Sequence, residues 1–286
     1  MSTHTPVHVS AAPAGPAPRP AGPRIQGRQT ILRSVRAEWI KFWSLRSTWI
    51  TSFIAIALTV LFGAGLTAIL GRTEEYQDTA KDLITQGLTF GQIVVAVLGA
   101  LIITGEYSSG QIRSSLAAVP KRGRLLVAKA VVLAIVSFLL GSLSVFLSWA
   151  ISKPFIGEHA GSLTDSHYAG YIWGSGLVFA VIALMALGLG FLLRSTAGTI
   201  TVIVSLLFVI TAPLQLAANK WDWVYKIIGC LPSTVSEAVS DPFQRTTEWG
   251  GQGAQFLTHG QAIAVFAAWA LIPLIAAWFV FSRRDA

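Results

Sequence analysis

Cysteine, charge and catalytic motifs are all scarce in this chain. A single cysteine, Cys230, excludes an intrachain disulfide and a thiolate metal cage. Charged residues make up only 12% of the 286 positions, against about 25% in a typical soluble domain. No glycine-rich segment ends in Gly-Lys-Ser or Gly-Lys-Thr, so there is no loop of the kind that cradles nucleotide phosphates. HExxH and GxSxG are missing as well. His4 and His8 lie in a proline-rich segment, and His159, His167 and His259 fall in polar loops, where a solvated role is expected. No apolar run contains a carboxylate pair of the sort used in proton relays. The reading is of a chain without a catalytic centre, metal site or cofactor of its own.

What is present is hydrophobic length. Apolar residues reach 53% and mean hydropathy is +0.62, more apolar surface than a water-soluble fold of this size could cover. A membrane span needs about 20 mostly apolar residues to cross about 30 Å of hydrocarbon. Six stretches qualify, near 48–70, 88–104, 125–151, 171–193, 198–217 and 262–281. A charge at mid-bilayer costs roughly 2.5–3.5 kcal/mol on insertion scales, and the span interiors avoid Asp, Glu, Lys and Arg. Lys129, near a span end, is expected to snorkel toward water. Residues 1–30 hold no signal-type apolar run. Their Ala, Pro, Gly and Thr with scattered Arg read as a disordered cytoplasmic tail. The fold class expected is all-α and polytopic: six transmembrane helices over 31–286, with an N-terminal amphipathic interfacial helix and a short cytoplasmic coupling helix.

Charge asymmetry orients the spans, because Lys and Arg accumulate on the cytoplasmic side. With the N-terminus inside, the inner segments hold fifteen of the 21 basic residues but three acidic ones, Glu38, Glu106 and Asp285. The net charge of +8 and pI near 10 are then explained by topology, and no nucleic-acid partner is required. Both termini are expected inside a plasma (inner) membrane.

Two inner segments are patterned beyond what a turn needs. In residues 31–47, Leu32, Val35, Trp39, Phe42 and Trp43 recur at helical spacing, with Ser34, Glu38, Lys41 and Ser44 opposite. This predicts a basic amphipathic helix lying along the bilayer interface. Between the second and third spans, Ser108 and Gln111 have the spacing of a capping box, Ile112 and Leu116 form a small apolar face, and Pro120 ends the helix. That face predicts docking to a soluble partner. The last outer segment, 218–261, predicts one or two short re-entrant or interfacial helices broken at Pro232, then a polar loop.

The stretch from Glu106 through Gly110, Ile112, Arg113, Leu116, Pro120 and Arg122 to Lys129 resembles permease subunits of type-2 ATP-binding-cassette (ABC) exporters, especially those of high-GC actinobacteria. Gln111 stands where those loops usually have Thr. The turn from Gly188 and Gly190 through Arg194 to Gly198 looks like the family's short inner turn. The resemblance implies a separate ABC ATPase subunit, a second permease copy and a hydrophobic or amphipathic cargo. It implies that the 105–120 segment meets the ATPase, with Glu106 capping or hydrogen-bonding near the start of the short helix, Arg113 facing the ATPase or lipid phosphate, and Pro120 and Arg122 fixing the exit into the third span. A non-transporting membrane anchor shares the same loop and stays open at this point. A lipid-modifying enzyme lacks the clustered polar groups it would need.

Overall fold

A computed structural model describes residues 30–71, 73, 82–119, 121–157, 162, 166–241 and 257–283. The expected tail over 1–29, Pro120, His159, the His167 side chain and the polar loop 242–256 lie outside the described residues.

Every regular element among the described residues is helical. The elements are α1 (Ile31–Ser44), α2 (Arg46–Leu70), a 3₁₀ turn (Asp82–Thr85), α3 (Leu88–Ser108), α4 (Gln111–Ala118), α5 (Arg122–Ile156), α6 (Ser166–Leu193), α7 (Thr196–Val204), a π turn (Ser205–Val209), α8 (Thr211–Ala218), α9 (Trp223–Gly229), α10 (Pro232–Ser240) and α11 (His259–Arg283). Among the described residues, six helices are long and apolar enough to cross a bilayer: Arg46–Leu70, Leu83–Ser108, Arg122–Ile156, Tyr168–Leu193, Thr196–Ala218 and His259–Arg283. Such spans must be helical because lipid offers no partner for a backbone N–H or C=O. At 1.5 Å per residue, α5 is about 52 Å long and outreaches the hydrocarbon at its ends.

α6 is the central helix. It packs against α5, α3 and α11, and 72% of its most apolar window is buried, against 11% for the α7–α8 span. Helices in lipid gain little from hiding apolar surface from water, so close contact depends on small residues. A Cβ on Gly141 of α5 would sit 2.4 Å from the Ser175 carbonyl oxygen of α6, and one on Gly99 of α3 would sit 2.4 Å from that of Ala183. Buried Thr59, Thr67, Ser148 and Ser152 donate to carbonyls four residues back on their own helices, so these hydroxyls are satisfied inside the bundle.

α1 is oriented opposite to a soluble amphipathic helix. Ser34 and Phe42 are buried, and Val35, Glu38 and Lys41 half-buried. Leu32 is 76% exposed, and Trp39 and Trp43 are exposed as well. The apolar stripe read from the sequence is therefore divided: Phe42 and Val35 turn toward the bundle with the polar residues, while Leu32, Trp39 and Trp43 face outward. The reason is that Glu38 and Lys41 find charged partners on α3 and α5. A tight corner at Leu45 leads into α2. There the Trp49 Nε1 donates to the Trp43 carbonyl at 3.0 Å, and the two rings lie 4.7 Å apart.

Candidate functional site

The segment between α3 and α5 differs locally from the sequence expectation. α3 continues to Ser108, so Ser108 cannot begin a capping box. Its hydroxyl donates to the Gly105 carbonyl at 3.1 Å, as does that of Ser109 at 2.7 Å. The reversal is made by Gly110, at φ +72°, a left-handed conformation that glycine adopts without a Cβ clash. No side chain caps the first turn of α4. The helix ends at Ala118, with the Val119 N–H bonded to the Ser115 carbonyl.

The apolar face of α4 is directed inward. Ile112 is 5% exposed within the core, and Leu116 packs against that core. The residues left open on α4 are Gln111, Arg113, Ser114, Ala117 and Ala118. Ile112 and Leu116 thus hold α4 to its own chain, and the surface left open is small, with Arg113 as its one charge.

Behind α4 lies a cluster of four charges that the sequence reading did not assemble. The Glu106 Oε1 of α3 accepts from the ammonium groups of Lys41 on α1 and Lys129 on α5. Lys129 also donates to the Glu38 Oε2 of α1 at 2.8 Å. Lys41 reaches the Ser115 Oγ of α4 at 3.4 Å. Side-chain exposure is 1% for Lys129, 4% for Glu106, 12% for Glu38 and 21% for Lys41. Burying one ion costs several kcal/mol even after relaxation, so each charge here is tolerable only beside its partners. Two sequence expectations are corrected. Glu106 belongs to the last turn of α3 and pairs with lysines instead of capping α4. Lys129 does not snorkel to water but is buried between two carboxylates. The available signal was the opposite charges at the margins of adjacent spans, with Glu38 and Lys41 three apart on one face of α1.

Further groups tie this end of the bundle together. Arg122, the first residue of α5, donates to the Phe281 carbonyl of α11 at 3.2 Å. Arg194 ends α6 in a left-handed conformation at φ +52°, and its guanidinium lies over the Tyr107 ring at 5.0 Å. Ser195 then caps α7, accepting from the Gly198 N–H at 3.2 Å. Thr196 of that turn shares a 2.6 Å hydrogen bond with Thr104 of α3. Glu106, Gly110, Ile112, Arg113, Leu116 and Arg122 thus occupy one end, with Val35 packed into it and Leu32, Trp39 and Trp43 on the outer flank of α1.

The opposite end is built differently. α9 and α10, the latter opened by Pro232 at its first turn, follow the α8 end. α10 packs on α6 and α11. The His259 Nδ1 lies 3.0 Å from the Ala238 carbonyl, and Trp269 donates to the Cys230 carbonyl at 2.8 Å. Tyr168, Tyr171 and Trp149 pack edge and face beside them.

With this geometry in place, comparison with known proteins gives one result. A family model described as ABC-2 family transporter protein matches residues 34–220, from α1 through the end of the α7–α8 span. No curated protein matches the chain.

Proposed function

The chain belongs to the ABC-2 transporter family, and from that premise we propose that it is the permease half of an exporter whose ATP is hydrolysed on a separate chain. A membrane transport component with six apolar helices is what the family match and the fold establish. ABC-2 permeases work with ABC ATPase subunits, and this sequence carries no phosphate-binding loop of its own. The observation that carries the proposal is α4. Its buried side fixes it to the bundle, and its open side presents Arg113 and Ser114 at the end that also holds Arg122 and Arg194. A docking helix needs both properties: firm attachment to the spans and a face left for the partner.

The same reading places α4 and both termini in the cytoplasm of a plasma membrane, as in the actinobacterial permeases that the loop resembles. It assigns a hydrophobic or amphipathic small molecule as cargo. A second permease copy completes the assembly. Support comes from the least buried span, α7–α8, whose open side carries Thr201 and Gln215, residues that bare lipid disfavours.

Two measurements test this. A tagged chain should copurify an ATPase, and Arg113→Glu should abolish that association while the protein stays folded; full retention of the ATPase by the variant sinks the docking role. For orientation, a membrane-impermeant maleimide applied to intact cells should label the exposed Cys230, and Arg113→Cys in a Cys230→Ser background should react only after permeabilisation. The swapped pattern, Arg113→Cys labelled in intact cells and Cys230 only after permeabilisation, would reverse the orientation, and labelling of both in intact cells would overturn the placement of the two ends on opposite faces.

A further inference from the structure

α4 has eight residues and no side-chain N-cap, and it leaves α3 through a left-handed glycine. So short a helix is not stable in isolation, and its position depends on what grips it. One grip is apolar, through Ile112 and Leu116. Another is Lys41. Its ammonium donates both to Glu106, at the end of α3, and to the Ser115 hydroxyl on α4. Lys41 belongs to α1, whose remaining polar hold on the charge cluster is Glu38 with Lys129.

The geometry points to Lys41 as the positioning residue that ties α1 to the α3–α4 corner, so that a displacement of α4 carries α1 with it. The pairs on α1 are unequal. Lys129 is closed off at 1% exposure and holds Glu38 to α5, one of the spans. Lys41 is the most exposed of the four, at 21%, and its ammonium hydrogen-bonds Ser115 of α4. The Glu38 pair therefore acts as an anchor, and the Lys41 contact is the arm that follows α4. Glu106 Oε2 is buried and has no hydrogen-bond partner among the described residues. It offers the Lys41 ammonium a second acceptor, so Lys41 can shift without losing its counter-charge. The proposal rests on the permease reading only for the source of the motion, an ATPase acting on α4; the tie itself is a property of this chain.

The test begins with the full chain in nanodiscs without any ATPase. Spin labels go on exposed positions of α1 and α4, as Ala37→Cys and Ser114→Cys in a Cys230→Ser background. One narrow distance distribution is expected, which Lys41→Met broadens and Lys41→Arg restores. An unchanged distribution in Lys41→Met overturns the proposal. Where Lys41→Met fails to fold, Ser115→Ala decides in the same way, since it removes only the contact to α4. The second arm uses the chain with its copurified ATPase. ATP with vanadate should shift a label on α1 relative to one on α5 in the wild type. In Lys41→Met that shift should be lost while ATP hydrolysis continues; a shift of wild-type size there overturns the proposal. Failure of any ATPase to associate would count against the permease reading, while the nanodisc measurement would still decide the tie.

Discussion

The two ends of the bundle are held by different forces. At the α4 end, four full charges from α1, α3 and α5 meet, with Lys129 and Glu106 almost closed to solvent. At the α10 end, the Trp173–His259 ring contact and single hydrogen bonds join α6, α10 and α11, one of them from the Tyr171 hydroxyl to the Asp241 carboxylate. Separate contacts of this kind degrade gradually, because losing one bond or one methylene leaves the others in place. A buried charge cluster does not, because each ion is stable only while its counter-ions stay put. Such a cluster favours discrete arrangements over a continuum, which suits the coupling role proposed for this end. The contrast also explains why α1 shows its tryptophans outward: Glu38 and Lys41 are spent inside, and Leu32, Trp39 and Trp43 are left on the outer side.

The largest effect should come from breaking the cluster at its most buried member. Lys129→Met leaves Glu106 and Glu38 without that cation and should cost about 3–5 kcal/mol. This would be read as a fall in the thermal unfolding midpoint of the purified protein. Adding Glu106→Gln to it should recover part of the loss; a double variant worse than the single one would remove the charge-pairing explanation. Next, at the other end, a Cβ on Gly174 of α6 would lie 2.3 Å from the Val239 carbonyl oxygen of α10. Gly174→Val should therefore push α10 away at a cost of about 1–3 kcal/mol, with increased protease cleavage around α10 and no effect on ATPase association. Trp269→Phe keeps an aromatic ring but loses the hydrogen bond to Cys230 and part of the indole's packing, so about 1–2 kcal/mol is expected. A loss as large as that of Lys129→Met would erase the distinction between the ends. Smallest in stability is Arg113→Glu, within about 0.5 kcal/mol as for other surface substitutions, although its effect on partner binding should be complete.

Much of the fold was legible because a bilayer imposes a coarse rule. Uncharged apolar runs of sufficient length announce spans, and six were found where six helices stand. The boundaries were less so. The second span was read as ending at Thr104, but α3 runs on to Ser108, because the polar residues Glu106 and Ser108 satisfy themselves on lysines and on the helix backbone. The candidate site was half legible. The 106–122 segment stood out by its spacing, whereas the direction of Ile112 did not. An apolar residue on a short exposed helix fits a partner's groove and its own core equally well in one dimension.

The sequence by itself determined that the chain is helical, that it spans the membrane six times, and that its basic residues gather in segments on one side. Each of these follows from local composition, since lipid penalises charge and unpaired backbone position by position. Only the tertiary structure decided which charges meet. Glu38, Lys41, Glu106 and Lys129 come from three segments as far as 91 residues apart, and nothing in their spacing records that α1 folds back over the ends of α3 and α5. Periodicity can show that a helix has two faces. Which face turns inward depends on the neighbours it meets, and here those neighbours are charged.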